Sequence, residues 1–597
     1  MFDASWQKSS SRWSDFDNWS NTAWTVNGQI GDIKMVYTGA YLSRTIDNTM
    51  DYTNYSRSAG GFYYACVGGT ATGGNGHQTA GLMGGGAGFA YTCYSPVYSW
   101  HDYVETTHTS EELRFSTPDE WRLRGLVGVY WENFDIKDDM NFLYKSIPSC
   151  TPQNLTLYTA GTQVCVGNVI PAPGTAAIDP TVRNDNTAFG EDLRRGYKQT
   201  AGYLNVNFDL LPKTLILTAG TRYYHYTEDL YGSQYSTSQS CVGIPNGTCV
   251  GSTLASQTHA ATYSGFRSMG NLSWRITPDA MVYYTYSQGF RPGAGNRKNS
   301  AEVNISIDPA TGQPTVGPVA GAPTLVQQFR KPFTYPPDTL INNEIGLKSE
   351  WFNHRLLFNI SGYIMDWNDV QTLIYNPPVF GNTTFGVEGP NYQVKGFEIQ
   401  LAWRVTDGLT LQGALSHNNA SETNSPCITS VGGTGVTGGI NGNPTPAGAC
   451  ITQVWDPITR QNTALLNPLG AVGATPAFSP TLQWNLRARY DWRFSGDYAA
   501  FINVGASYTG SMNNEPSSFT PAVPGTVPTT TWLLYNQPSY TVYDAQCGVA
   551  KDRWQAVLFG QNLSNSSAST FTSSGQFIES QVPLRPRVLG LRISFTY

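Results

Sequence analysis

Arg587-Val588-Leu589-Gly590-Leu591-Arg592-Ile593-Ser594-Phe595-Thr596-Tyr597 closes the chain, and its alternation decides the fold. Successive side chains of an extended strand point to opposite faces, so Leu589, Leu591, Ile593, Phe595 and Tyr597 share one face and Gly590, Arg592, Ser594 and Thr596 the other. An apolar face ending on an aromatic, backed by a face with arginine, suits a sheet between lipid and water. Hydrocarbon admits only structures that pair all their own backbone groups, which are helices and closed barrels. The stretch predicts the last strand of an outer-membrane β-barrel.

The rest of the composition agrees. Of 597 residues, 13% are charged and 13% aromatic, and the net charge is -6; mean hydropathy is -0.30. No segment reaches the roughly 18 consecutive apolar residues a spanning helix needs, which excludes a helical membrane protein. A barrel escapes hydropathy windows because its apolar half occupies alternate positions. Scattered Lys and Arg form no basic stripe, so nucleic acid is not an expected partner. One motif repeated end to end argues for a single all-β domain over 1–597.

That motif is a hairpin with two kinds of connection. Short turns fall at Asn27 to Asp32, Thr117-Pro118-Asp119, Leu211-Pro212, Thr277-Pro278-Asp279, Phe352-Asn353-His354, Thr406-Asp407-Gly408, Ser495-Gly496-Asp497 and Lys551-Asp552. Each is flanked by alternating strands of about ten to fifteen residues, such as Leu482 to Arg493. Between the hairpins lie Gly, Ser, Thr, Asn and Pro-rich loops at about 47–106, 135–188, 229–259, 291–335, 369–390, 421–477, 511–537 and 564–584. Short turns at one rim and long loops at the other are the periplasmic and extracellular sides of a bacterial barrel. Eight hairpins and the last strand predict seventeen antiparallel strands in a meander, with no parallel pair.

Eight of nine cysteines fall in close pairs within single long loops: Cys66 with Cys93, Cys150 with Cys165, Cys241 with Cys249 and Cys427 with Cys450. None of the spacings is a Cys-x-x-Cys metal or redox motif, so local disulfides in an oxidising compartment are expected. Cys547 alternates in phase with Tyr543, Ala545 and Val549 and reads as a small lipid-facing residue. Catalytic chemistry and cofactors are not expected. The seven histidines show no ligand spacing, and His77, His101, His108, His225 and His259 read as polar loop residues rather than a metal or haem site.

Ligand capture is expected in the extracellular loops and upper lumen, where aromatics bunch. Tyr63, Tyr64, Tyr91, Tyr94, Trp100 and Tyr224, with Arg291, are the candidate contacts, because rings offer large rigid contact area. The competing reading is that Tyr and Trp form the girdles at both membrane interfaces. Arg222, Arg487, Arg489 and Arg592 fall on lumen phase.

Five motifs then carry a family resemblance over nearly the whole chain. Tyr284-Thr285-Tyr286-Ser287-Gln288-Gly289-Phe290-Arg291-Pro292-Gly293 resembles the strand-to-loop motif of TonB-dependent receptors, and Asn343-Glu344-Ile345-Gly346-Leu347-Lys348-Ser349-Glu350 with Leu356 to Trp367 resembles their next hairpin. Lys395-Gly396-Phe397-Glu398-Ile399, Phe559-Gly560-Gln561-Asn562-Leu563 and Pro586-Arg587-Val588-Leu589-Gly590 follow in family order. The resemblance implies a Gram-negative outer-membrane protein in contact with lipid and lipopolysaccharide. It implies uptake of a scarce extracellular ligand, a ferric siderophore, cobalamin, haem or a carbohydrate, powered by the TonB complex. Ile593, Phe595 and Tyr597 would be the signal to the barrel-assembly machinery, and the four lumen arginines would hold a plug.

The front of the chain departs from the family. Met1-Phe2-Asp3-Ala4-Ser5-Trp6 resembles neither a signal peptide nor a TonB-contacting segment, and strand material starts near Trp13. Plugged transporters have 22 strands; counted back from the last, the first strand here is the sixth. The expectation is a truncated barrel without plug, TonB box or signal peptide, which alone does not support TonB-dependent uptake. A passive porin-like channel is the alternative, and a soluble all-β binding protein a weaker one.

Overall fold

The computed structural model describes residues 14–53, 66–67, 92–93, 97–144, 148–159, 167–183, 187–236, 248–254, 261–296, 300–307, 314–316, 324–330, 334–375, 384–424, 426, 453–456, 461–464, 469, 472–494, 496–515, 535–573 and 580–596. Seventeen long strands form one sheet: β1 Ser14–Ile30, β2 Ile33–Asp51, β3 Tyr98–Ser116, β4 Leu123–Tyr144, β5 Thr187–Leu211, β6 Leu215–Ser236, β7 Ala261–Thr277, β8 Ala280–Arg291 and β9 Asp338–Trp351, then β10 Leu356–Asn368, β11 Tyr392–Arg404, β12 Leu409–Glu422, β13 Leu482–Phe494, β14 Tyr498–Thr509, β15 Tyr540–Lys551, β16 Trp554–Gln561 and β17 Val588–Phe595. Each pairs antiparallel with its neighbours in sequence, from Ser14↔Thr49 through to Trp554↔Phe595. All eight expected short turns separate the strands of a hairpin. Gly31 at φ 60° and Gly496 at φ 72° occupy the left-handed region that tight hairpin turns require.

The register carries one continuous outward face around the sheet. Leu589, Leu591 and Ile593 on β17 are 68%, 65% and 62% exposed. Opposite Leu591 stands Leu558, opposite Leu558 is Cys547, and opposite Cys547 is Ile502. An outward row this apolar and this exposed is a lipid face. Trp484 and Trp492 lie on it eight positions apart, about 26 Å along the strand at roughly 3.3 Å per residue, which brackets the apolar band with two aromatic levels.

Two expectations need correction. First, the early strands are longer than read: β3, β4 and β6 run 19, 22 and 22 residues, well into the stretches taken as loops, and β5 runs 25 residues from the end of one. Beyond the apolar band their outward positions no longer meet lipid, so they lose the alternation by which a strand is recognised. Second, the loops have structure of their own. Helix α1 Pro152–Thr159 sits between β4 and β5, and a parallel pair joins Asn168–Ile170 to Thr248–Val250, so the exclusion of parallel pairing holds for the sheet and fails between loops. The segment after α1 is tied down by a buried carboxylate. Asp192, 0% exposed, accepts backbone N–H bonds from Ala177, Ile178 and Asp179 at 2.5, 2.8 and 2.7 Å. Arg183 bridges it to Asp139.

Candidate functional site

Inward positions of β3 to β8, at and above the level of the upper aromatic girdle, build a wall of rings and charges. His108, Phe134 and Tyr197 stand opposite one another across β3, β4 and β5. Their rings meet in sequence, His108 to Phe134 at 5.3 Å edge-on, Phe134 to Tyr197 at 5.3 Å stacked, and Tyr197 to Tyr226 at 5.0 Å stacked. Below them Glu132 accepts a bond from Gln199 Nε2 at 2.8 Å and lies 3.0 Å from His108 Nε2. Arg222 donates to Gln199 Oε1 at 3.1 Å and lies over the Tyr130 ring, 5.0 Å from its centroid.

Tyr224 and Phe290 form the next layer, stacked at 3.9 Å between centroids. Arg267, register partner of Arg222, lies over both rings at 5.5 and 5.0 Å. Among the described residues neither Arg222 nor Arg267 forms a salt bridge; rings and neutral groups hold them, so their charge stays available to an anion. Sequence reading caught Arg222 and Tyr224 but missed Arg267, although strand phase from Phe266, 62% exposed, puts residue 267 inward.

Toward the long loops, burial changes the carboxyls. Asp138 is pushed up to about 7, first by burial and then by the neighbouring Asp102 carboxylate. Burial likewise raises Glu228 and Glu422 to about 7. All three lie near the long-loop ends of their strands, beyond the apolar band.

The other candidates divide as follows. Tyr224 is 2% exposed, covered by Phe290 and Arg267. Trp100 packs its ring 5.2 Å from Tyr52 near the start of β3. Arg291 is pinned to Asp338, with Nε to Oδ2 at 2.7 Å, and lies over the Trp367 ring at 5.0 Å. Arg489 lies over Phe501 at 4.0 Å and pairs with Asp491 at 2.8 Å, while Arg592 lies over Phe559 at 5.5 Å. Arg487 stands opposite Gly505 on the same inward face. Ile593 and Phe595 point outward. Tyr63, Tyr64, Tyr91, Tyr94 and Tyr597 lie outside the described residues, as do Cys165, Cys241, Cys427 and Cys450. Cys150 is disulfide-bonded, Cys66 and Cys93 are register partners, and Cys249 sits in the parallel loop pair. Cys547 is a free, exposed thiol on the lipid face. His101 lies 3.0 Å from Asp47.

Comparison with known proteins bears on this barrel directly. The family model described as TonB dependent receptor-like, beta-barrel matches residues 2–563. The chain belongs to the TonB-dependent receptors. Receptor barrels of this family reside in the Gram-negative outer membrane. Solved structures with the same fold include the ferric yersiniabactin uptake receptor FyuA from Yersinia pestis, at 11% identity and a TM-score of 0.56, covering 97% of this chain and 61% of that one. The siderophore receptor PiuA from Acinetobacter baumannii gives 13% identity and a TM-score of 0.55, covering 98% and 65%. The chain thus spans less than two thirds of the length of either.

The receptor's motifs now have physical reasons. In Glu344-x-Gly346-x-Lys348 all three residues face inward around Tyr283 of β8. Glu344 accepts the Tyr283 hydroxyl at 2.5 Å, and Lys348 Nζ lies 5.5 Å from the ring centroid. A Cβ at Gly346 would come within 2.5 Å of that ring, so only glycine leaves room. Gly590 does the same for Phe559 on β16. Asn562 binds Asp544 through its backbone N–H and donates its side-chain amide to the Ser566 and Arg585 carbonyls, both at 2.8 Å. Arg291, in the strand-to-loop motif, is the clamp on Asp338. These residues read as scaffold.

Proposed function

We propose that this receptor barrel takes up an iron-siderophore-class ligand, an anionic complex with flat aromatic groups, and that the inward wall of β3 to β8 contacts it. One observation carries the reading: Arg222 and Arg267 are held over aromatic rings without a carboxylate partner among the described residues. A flat anion then gains charge pairing and ring contact without displacing an ion pair. Energy from the TonB complex belongs to the same proposal, as does a plug held by Arg487, Arg489 and Arg592. The local disulfide pairs would brace the entrance loops.

The test measures binding of iron-55 loaded tris-catecholate, hydroxamate and phenolate siderophores to the barrel in detergent. One class is expected to bind, with at least tenfold weaker affinity in Arg222→Ala and in Arg267→Ala. Absence of binding by every class, or unchanged affinity in both variants, overturns the proposal. Channel conductance that no siderophore blocks would favour the passive pore.

A further inference from the structure

The two sides of β12 are held very differently. Toward β11 the ladder runs unbroken from Arg404↔Thr410 up to Tyr392↔Glu422. Toward β13 it stops at His417↔Leu482. Above that point a strap, Val472 to Thr481, takes the place of β13: Asn418 N–H donates to Thr481 O, Glu422 N–H to Ala474 O and Gly473 N–H to Glu422 O, each at 2.8 Å. Farther along, Phe478 N–H donates to Asn513 O at 2.7 Å and its ring stacks on Phe571 at 4.8 Å.

Glu422 is the anomaly at this edge. It faces inward seven positions beyond Leu415, the partner of girdle Trp484, roughly 23 Å along the strand at about 3.3 Å per residue. Its side chain is 1% exposed, and among the described residues neither carboxyl oxygen has a hydrogen-bond partner. Ionised there, it would lose its hydration and gain no partner, so burial raises it to about 7. No neighbouring element offers a counter-charge. The strap has no charged residue, and Tyr392 on β11 supplies only a phenol, itself raised by burial and then by Glu422. His417 of β12 stacks outward on Phe397. Asp338 is taken by Arg291, Asp366 accepts the Gln393 amide, and Glu388, on the connection between β10 and β11, is raised by burial and then by Asp369.

We propose that Glu422 is a proton-controlled latch for the strap Val472 to Thr481: protonated, it stays packed with the strap docked, and its ionisation drives the strap off the upper edge of β12 so that water reaches the carboxylate. The strap is the side that yields, because freeing it breaks a few backbone bonds whereas freeing β11 breaks a whole ladder. Its release opens the barrel wall at the long-loop rim, which makes the entrance pH-dependent. The sign follows from linkage. A glutamate that releases its proton near 4.3 in water and near 7 when covered keeps the strap docked in acid and shifts the opening equilibrium by at least tenfold between pH 5.5 and pH 8.

Hydrogen exchange of the barrel in detergent at pH 5.5 and pH 8, expressed as protection factors so that the intrinsic pH dependence of exchange cancels, tests the latch. Wild-type amides of Asn418, Glu422 and Gly473 are expected to lose at least tenfold in protection at pH 8, with those of β11 unchanged. Glu422→Gln, neutral at both pH values, is expected to keep the strap equally protected at both, and Glu422→Met, apolar and of similar length, carries the same expectation should the amide variant misfold. Glu388→Gln is expected to leave the loss at pH 8 intact. Heat-modifiable gel mobility checks folding. Equal protection of the wild-type strap at both pH values, an undiminished loss in folded Glu422→Gln or Glu422→Met, a loss that vanishes in Glu388→Gln, or a loss spread equally over β11 would each overturn the proposal.

Discussion

Gly346 shows how one residue carries a family motif. The Tyr283 ring occupies the space a side chain would take, and its hydroxyl and face are held by Glu344 and Lys348. Gly346→Val must push the ring aside and break both contacts. The expected cost is about 1–3 kcal/mol, the range for overpacking a filled site, read as a lower urea midpoint of the refolded barrel. Tyr283→Phe, which loses only the hydroxyl bond, should cost about 1 kcal/mol. A smaller effect from the valine than from the phenylalanine would remove the steric argument. Sequence pattern marks such glycines but not their reason, because the ring they accommodate lies on another strand.

At the scale of elements, the strand ends toward the long loops are where ionisation matters. Asp138, Glu228 and Glu422 hold their protons in the folded chain up to about 7, whereas unfolded carboxyls release them near 4. Between those values the folded chain binds more protons than the unfolded one, so stability falls as pH rises. The contribution is complete below about pH 4 and gone above about pH 7. Thermal unfolding in detergent should therefore show a lower Tm at pH 8 than at pH 5.5, and Asp138→Asn should shrink the difference. A Tm that rises over that interval would contradict the burial of these groups. Those same ends were the least legible part of the chain. β4 and β6 extend above the band with outward residues such as Lys137 and Asp229, whose polarity resembles a loop, and α1 has no acidic first turn or basic last turn to announce it.

Across the whole molecule, β1 pairs with β2 and β17 with β16, and among the described residues each has its other edge open. An unpaired backbone group in hydrocarbon costs several kcal/mol, so these edges should be the least protected part of the sheet. Hydrogen exchange in lipid nanodiscs is expected to show β1 and β17 amides exchanging at least tenfold faster than those of β5 and β6. Protection as strong as that of β5 and β6 would mean that each edge finds a partner.

Strand phase, a local property with a period of two residues, and the turn residues between strands were sufficient for the lipid face, the eight turns, the count of seventeen long strands, Cys547 outside and Arg222, Arg487, Arg489 and Arg592 inside. Tertiary structure decided what stands beside what. Register accumulates over turn lengths and over irregularities such as those between Arg275 and Thr277 and between Asp209 and Leu211. A slip of two residues would keep every face and change every neighbour. That is why Arg267 over Tyr224 and Phe290, and Glu422 beside the strap Val472 to Thr481, emerge only when the strands are assembled.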